Sequence, residues 1–292
     1  MYLDDYGRKW FKGNLHTHTT VSDGSRSPDE VAATYRAAGF DFLAFTDHWN
    51  PSKTSMQDGL LLLPGCEYDV GTSVVDGIYH IISIGAQHPE KIIRSSSLTP
   101  QNILDAIHEA SGYAILAHPS WSLNQPAEIL KLHGVDASEV FNSVSNVPWN
   151  GCRADSSVIL DTVAALGMPL PMVASDDSHF YTGEECTNFI WLQADELNFD
   201  AIMDALKKGR FYASQGPKMA VEWDGSTMKV HCSPAKYVVF YTNMVYSAKR
   251  VAKGPGITQA EYQPGAQETF LRAEVIDEQG RKAWASPVIL NL

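Results

Sequence analysis

Asn14-Leu15-His16-Thr17-His18-Thr19-Thr20-Val21-Ser22-Asp23-Gly24 is the stretch on which the reading of this chain turns, and Thr46-Asp47-His48 answers it across an intervening helix. On an extended strand the side chains alternate with a period of two, so His16 and His18 share one face and their imidazoles converge. Asp23, in a Ser-Asp-Gly turn just beyond, brings a carboxylate to the same mouth. His48 arrives there from the end of the next strand. This mixed N/O donor set suits Zn, Mn or Fe better than Mg or Ca alone. A lone His-x-His carries little information, and the pair gains weight because later strands keep delivering ligand-type residues.

Working outward, Ser27-Pro28-Asp29-Glu30 reads as a capped helix start with Pro at the first helical position. The helix runs to Ala38 and stops at Gly39. The apolar run Phe40–Phe45 then reads as a buried parallel strand that ends on Asp47 and His48. Leu60–Pro64 is a further strand, with Glu67 just beyond it, and Tyr79–Gly85 is another that carries His80 near its start. A helix opened by Thr99-Pro100 precedes the strand Tyr113–Ala117, which delivers His118. Ser138–Phe141 follows a helix beginning near Pro126, Ala154–Leu166 is helical, and Pro171–Ala174 leads into Ser175-Asp176-Asp177-Ser178-His179. Strand-then-helix units with reactive residues at the strands' carboxyl ends predict an α/β barrel with its site on that face. His88, His108, His133 and His231 fall in loops, helices or the C-terminal region and are read as non-ligands.

From about Gly216 no helical period appears. Short alternating segments take over at Met219–Trp223, Met228–Cys232, Tyr237–Tyr241, Phe270–Ile276 and Val288–Leu290, with a hairpin signal at Asp224-Gly225. The expectation is two domains: an α/β barrel over 1–215 and a small all-β, sandwich-like domain over 216–292.

Hydrophobic residues make up 44% and charged residues 19% of the 292, an ordinary globular composition that speaks against disorder. The formal charge of −12, from 22 basic and 34 acidic residues, and the lack of any Lys/Arg run argue against duplex nucleic acid or an anionic membrane as partner. The acidic start Met1–Gly7 lacks a secretory layout and no apolar run is long enough to span a bilayer, so the expected compartment is the cytoplasm. Cys66, Cys152, Cys186 and Cys232 form no C-x-x-C pair and read as reduced. Cys66 neighbours a candidate ligand.

Nine candidate metal ligands emerge: His16, His18, Asp23, His48, Glu67, His80, His118, Asp177 and His179. They exceed the needs of one tetrahedral ion, so two or three divalent ions (Zn, Mn or Fe) are expected, with Glu67 as the bridging carboxylate. Clustered metals hold a hydroxide and polarise a substrate oxygen, so no protein nucleophile is required. No G-x-S-x-G elbow, P-loop or G-x-G-x-x-G fingerprint competes.

The ordered series His16-Thr-His18, Ser22-Asp23-Gly24, Thr46-Asp47-His48, Pro64–Glu67, His80, Ala117-His118-Pro119 and Ser175–His179 resembles the motifs of the PHP (polymerase and histidinol phosphatase) superfamily over residues 10–215. The resemblance implies a distorted seven-stranded (βα)7 barrel, a trinuclear site and phosphoester hydrolysis. It places His16, His18, Glu67 and Asp177 around one metal, Glu67, His80 and His118 around a second, and Asp23, His48 and His179 around a third. Asp23 departs from the histidine found in several members. The doubled Asp176-Asp177 leaves the last carboxylate open, with the D-x-H spacing favouring Asp177; Asp47 is expected to orient a histidine.

Glu67, Asp177, His179 and His48 form the expected catalytic set, acting on a small soluble phosphoester. Arg153, Arg26 and Arg94 are the candidates for a phosphate contact. Two other readings stand beside this one: a carboxyl-ester or carbamate hydrolase with the same metal chemistry, and a binding module whose metals are structural. The oligomeric state has no signature in the sequence.

Overall fold

The computed structural model describes residues 1–292 except Asp76, Pro89, Asn291 and Leu292. It begins with a short antiparallel pair, β1 (Tyr2–Leu3) and β2 (Lys9–Asn14). The capping box of Ser27 and Glu30 starts α1 (Pro28–Ala37), whose buried face is Val31, Ala32 and Tyr35. β3 (Phe42–Ala44) returns parallel to β2, completing the expected β-α-β unit. The two strands touch closely at Gly13, where a Cβ would lie 2.0 Å from the Phe42 ring. Next come β4 (Ser55–Gln57), β5 (Leu60–Leu63), β6 (Gly65–Val70) and β7 (Tyr79–Ile84). Then α2 (Pro100–Glu109), capped by Thr99, precedes β8 (Tyr113–Leu116). A helix of only four residues, α3 (Pro126–Ile129), separates β8 from β9 (Ala137–Asn142), and α4 (Ser157–Ala165) separates β9 from β10 (Met172–Ser175). β11 (Phe189–Gln193), α5 (Phe199–Lys207) and β12 (Phe211–Ser214) follow. The chain ends in strands: β13 (Met219–Trp223), β14 (Met228–Tyr241), β15 (Val251–Tyr262), β16 (Phe270–Ile276), β17 (Lys282–Trp284) and β18 (Val288–Ile289).

These strands form a mixed α/β fold with few helices. One sheet has thirteen strands along the path β13-β14-β16-β17-β12-β11-β2-β3-β5-β4, with β1, β15 and β18 attached; the other has five, in the order β10-β9-β8-β7-β6. Two isolated parallel bridges, Thr17–Ser178 and His48–Glu67, join the sheets at their edges. Phe11, Phe42 and Leu63 of the large sheet share one core with Ile82, Ile115 and Val173 of the small one.

Ladder pairing alone closes neither sheet on itself, and the regular strand-helix repeat expected from the sequence is not observed. β7 runs antiparallel to both of its neighbours, β6 and β8. The connection from β6 to β7, residues 71–78, is too short for the crossover a parallel pair needs.

The C-terminal strands also differ in detail from the sequence reading. Met228–Cys232 and Tyr237–Tyr241 are parts of one long strand, β14, with register irregularities near Ala235. β15, which the sequence reading did not include, pairs with β14 and, among the described residues, with no other strand; a strand at a sheet margin tolerates Pro255. β17 pairs with β12, so these strands continue the large sheet. Val238, Phe240, Leu271 and Val275 share a core with Trp10 and Tyr35. Buried Arg272 of β16 donates to both carboxylate oxygens of Asp161 on α4, at 2.6 and 2.8 Å, and lies 3.2 Å from buried Glu274.

Candidate metal centre

β2 ends at Asn14, and His16 and His18 follow it in extended chain on either side of Thr17. The period-two argument still holds there, because Thr17 is pinned to Ser178 and the two rings turn to the same side. Their Nε2 atoms lie 3.2 Å apart. Glu67 Oε2 lies 3.2 Å from the first and 3.0 Å from the second, and Asp177 Oδ1 lies 3.0 and 3.1 Å from them. All four side chains are buried.

The fit to a cation can be tested on this geometry. His16 Nδ1 sits 2.8 Å from Glu139 Oε1, so the one proton of the neutral ring belongs there and Nε2, once its own proton is displaced by a cation, presents its lone pair to the cluster. Asp177 Oδ1 is a buried oxygen that no hydrogen-bond donor satisfies, and His48 Nδ1 is a buried nitrogen in the same condition. Donor atoms about 2.0–2.2 Å from one tetrahedral ion stand roughly 3.3–3.6 Å apart, close to the spacing seen. A ring of unsatisfied lone pairs at this separation fits a divalent cation.

Two further groups adjoin the first. Asp23, His48 and His179 gather with His18: Asp23 Oδ1 is 3.4 Å from both His18 Nδ1 and His179 Nε2, and Asp23 Oδ2 is 3.9 Å from His48 Nε2. His48 and His80 gather on Glu67, at 3.4 and 2.8 Å. His118 Nε2 stands at 3.5 Å from Glu67 Oε1 and 3.7 Å from Asp177 Oδ2. All nine candidate ligands therefore meet in one place, while His88, His108, His133 and His231 are in none of the groups. Glu67 belongs to every group except the one around Asp23, and it meets His18 and His48 of that one as well. Gly24 closes the turn, where a Cβ would come within 2.6 Å of the His18 carbonyl.

The charge balance follows from this packing. Burial pushes the Glu67 and Asp177 carboxyls up, but the facing imidazoles, His16 foremost, hold both well below the usual carboxylate range. Burial lowers His16 and His18, and the surrounding carboxylates nevertheless raise both well above the usual imidazole range. His48 is lowered, chiefly by burial.

The doubled aspartate divides its work. Asp177, in the left-handed region at φ 53, faces the cluster. Asp176 faces away and accepts from Asn14 Nδ2, Tyr35 Oη, Ser143 Oγ, Thr187 Oγ1 and the backbone N–H groups of Cys186, Thr187 and Asn188. Burial pushes its carboxyl up to about 6 against the pull of those donors. Asp47 meets a histidine ring through Ser22, whose hydroxyl donates to Asp47 Oδ1 at 2.8 Å and stands 3.3 Å from His18 Nδ1. Its carboxylate accepts from Thr19 and Ser22, main chain and hydroxyl alike, and so pins the loop that follows His18. Cys66 Sγ approaches the Asp47 carbonyl and lies in none of the metal-type groups; burial pushes its thiol up to about 12.

Sequence reasoning missed Glu139. Besides meeting His16 it accepts from the His118 backbone N–H at 2.8 Å, from Asn142 Nδ2 at 2.8 Å and from Ser175 Oγ. Its signal was present: an acidic residue inside the buried strand β9 needs partners. Trp121 and Phe180 were missed as well. They line a cavity of about 220 Å³ that opens onto Asp23, His48, Glu67, His80, His118, Asp177 and His179. None of the three arginines reaches that cavity. Arg153 is exposed, Arg26 is engaged by Thr34 and the Tyr181 carbonyl, and Arg94 pairs with Asp69 at 2.7 Å.

The mixed α/β fold that carries this histidine–carboxylate cluster has a counterpart among solved structures. A solved structure of a two-domain protein containing a predicted PHP-like metal-dependent phosphoesterase, from Bacteroides vulgatus, covers 98% of this chain and 98% of its own, at 15% identity and a TM-score of 0.55. The resemblance expected from the motifs is met at the level of the fold. An amidohydrolase from Chromobacterium violaceum (16% identity, 59% of this chain, 89% of that one) and a proposed metal-dependent phosphoesterase from Bifidobacterium adolescentis (15%, 57% and 87%) superpose at a TM-score of 0.40, too low to carry an argument. No family model and no curated protein matches the sequence. Among the described residues no helix is long and apolar enough to cross a membrane.

Proposed function

We propose that this chain is a metal-dependent hydrolase of a small phosphoester, holding two or three divalent ions (Zn, Mn or Fe). The observation that carries the reading is the convergence of His16 Nε2 and His18 Nε2, which lie within 3.2 Å of each other and of both Glu67 Oε2 and Asp177 Oδ1, with the Asp177 oxygen unsatisfied among the described residues. These four would hold the inner ion. Glu67 and His80, with His48 or His118, would hold a second, and Asp23, His48 and His179, beside His18, a third. Bound ions would supply Lewis acidity and activate water toward an ester in the cavity.

The chain's own residues prepare that chemistry. Glu139 fixes the His16 tautomer, so that Nε2 stays free of a proton. Ser22 and Asp47 hold the turn that carries Asp23. Glu67 and Asp177 set the inner charge, while His48 and His179 stand on the more exposed side beside Asp23, where a substrate would enter. We take β2, β3, β5–β6, β7, β8, β9 and β10 as one distorted seven-stranded barrel, closed through the two bridges, and 1–215 as the catalytic unit with 216–292 as its β-domain. The nine ligand candidates all lie in the first of these.

The test is hydrolysis of matched aryl phosphate and aryl carboxylate esters by metal-reconstituted protein and its Glu67→Ala variant, with elemental analysis of both. Preferential phosphate cleavage, lost together with metal in the variant, supports the proposal. Cleavage of the carboxylate alone replaces it with the carboxyl-ester reading. No turnover by fully loaded protein on a broad ester panel sinks the enzymatic reading.

A further inference from the structure

Beside the cluster, the cavity wall is formed by Trp121, Phe180, Val144, Ser145 and Asn150, and among the described residues it includes no lysine or arginine. Trp121 stands edge-on to two candidate ligands, 4.9 Å from the His118 ring and 5.6 Å from the His80 ring. Phe180 lies 6.1 Å from the His179 ring and is itself met edge-on by Trp149 at 5.7 Å. Trp149 is 66% exposed and Phe180 43%, and none of these three rings belongs to the hydrophobic core clusters. Large aromatic side chains left outside the core at the mouth of a polar cavity lack a packing role that would account for them. Meanwhile the charged non-histidine side chains lining the cavity are Asp23, Glu67 and Asp177; among the described residues no lysine or arginine lines it.

From this combination we propose the substrate class: a compound with a single anionic ester group and an uncharged planar aromatic body, the body resting against Trp121 and Phe180. The inference rests on the hydrolase reading above. The reacting group is placed by the cluster, and whatever extends beyond it meets aromatic faces and edges, which favour a flat π-system through offset or edge contacts. A second phosphate or carboxylate on the substrate would meet acidic side chains and no guanidinium or ammonium to receive it. Trp121 and Phe180 are thus specificity-determining residues. Arg94, tied to Asp69, and Arg26, stacked 4.9 Å over the Tyr181 ring, serve elsewhere.

The experiment is calorimetric titration of metal-loaded protein with phenylphosphonate, methylphosphonate and phosphonoacetate, which share a phosphonate head and differ in ring and second charge. Phenylphosphonate is expected to bind about tenfold more tightly than methylphosphonate, as one aromatic contact of this kind implies. Phosphonoacetate should gain nothing over methylphosphonate. Trp121→Ala should erase the ring preference with metal content unchanged, and Trp121→Phe should restore most of it; Phe180→Ala serves as an independent second variant. Equal affinity for the phenyl and methyl ligands, a preference that survives in both alanine variants, tightest binding of phosphonoacetate, or no binding of any phosphonate would each overturn the inference. Ring preference without hydrolysis of any ester refutes the enzymatic reading alone, whereas hydrolysis without ring preference refutes only this one.

Discussion

Replacing Glu139 with glutamine tests whether a buried carboxylate outside the cluster governs metal affinity. Glu139 accepts from four donors: His16 Nδ1, the His118 N–H, Asn142 Nδ2 and Ser175 Oγ. A glutamine preserves the shape but has one acceptor oxygen, so its amide must point N–H bonds at part of this donor set. Facing His16, the amide reverses the tautomer: Nδ1 becomes the acceptor, Nε2 carries the proton, and that proton points at Glu67 and Asp177, 3.2 and 3.0 Å away. Outer partners of this kind are worth about 10–100-fold in metal affinity, which is roughly 1.4–2.8 kcal/mol. Facing the other donors, the amide leaves a buried N–H unpaired at about 1–3 kcal/mol of folding stability. The assay is competition with a chelator of known affinity for wild-type protein and Glu139→Gln, paired with thermal melts of both metal-free forms. The expected result is a metal affinity at least tenfold weaker. Wild-type affinity and stoichiometry in the variant would refute the argument that His16 depends on Glu139 for its tautomer.

Three further outcomes are expected. Asp177→Asn should lose metal while its metal-free form melts near wild type, whereas Asp176→Asn, which disturbs a carboxylate with seven donor contacts, should lower the melting temperature of the metal-free protein; the reverse ranking in differential scanning calorimetry and elemental analysis would show the two roles to be exchanged. Arg272→Met leaves Asp161 and buried Glu274 without their shared guanidinium, a loss of about 3–5 kcal/mol by calorimetry, and because this site lies outside the cluster the metal content should not change. Metal uptake near pH 7 should release protons: carboxylates hold His16 and His18 above the ordinary imidazole pKa in the metal-free state, and a ligand must be deprotonated, so affinity rises with pH through the neutral range. A dye-indicator titration that detects no proton release would count against this.

Much of the site was legible because metal chemistry restricts the residue types that serve it and strand periodicity restricts where they point. His16 and His18 required only the period of two, and His48, Glu67, His118 and Asp177 only the habit of strands to present polar residues at their carboxyl ends. The capping boxes at Ser27 and Thr99 were equally local, since their hydrogen bonds close within three residues. Glu139 was harder: a buried acid signals that a partner exists without naming it, and its partner lies 123 positions away. The direct partners of Asp47 were hidden for a similar reason, since only the path of the backbone after His18 brings Thr19 and Ser22 to its carboxylate.

The sequence by itself determined the first β-α-β unit, the helices opened by Thr99-Pro100 and Asn198, the identity of the nine clustered side chains and the change to β-structure beyond about residue 216. Those are consequences of local conformational preference and of donor chemistry, both written residue by residue. Tertiary structure alone decided that β7 runs antiparallel to β6 and β8, that β17 pairs with β12 and joins the C-terminal strands to the large sheet, and that Trp121 and Phe180 meet at one cavity that, among the described residues, no lysine or arginine lines. Strand direction, sheet order and cavity lining depend on contacts between residues far apart in the chain, and no local preference encodes which distant surface a buried face will meet.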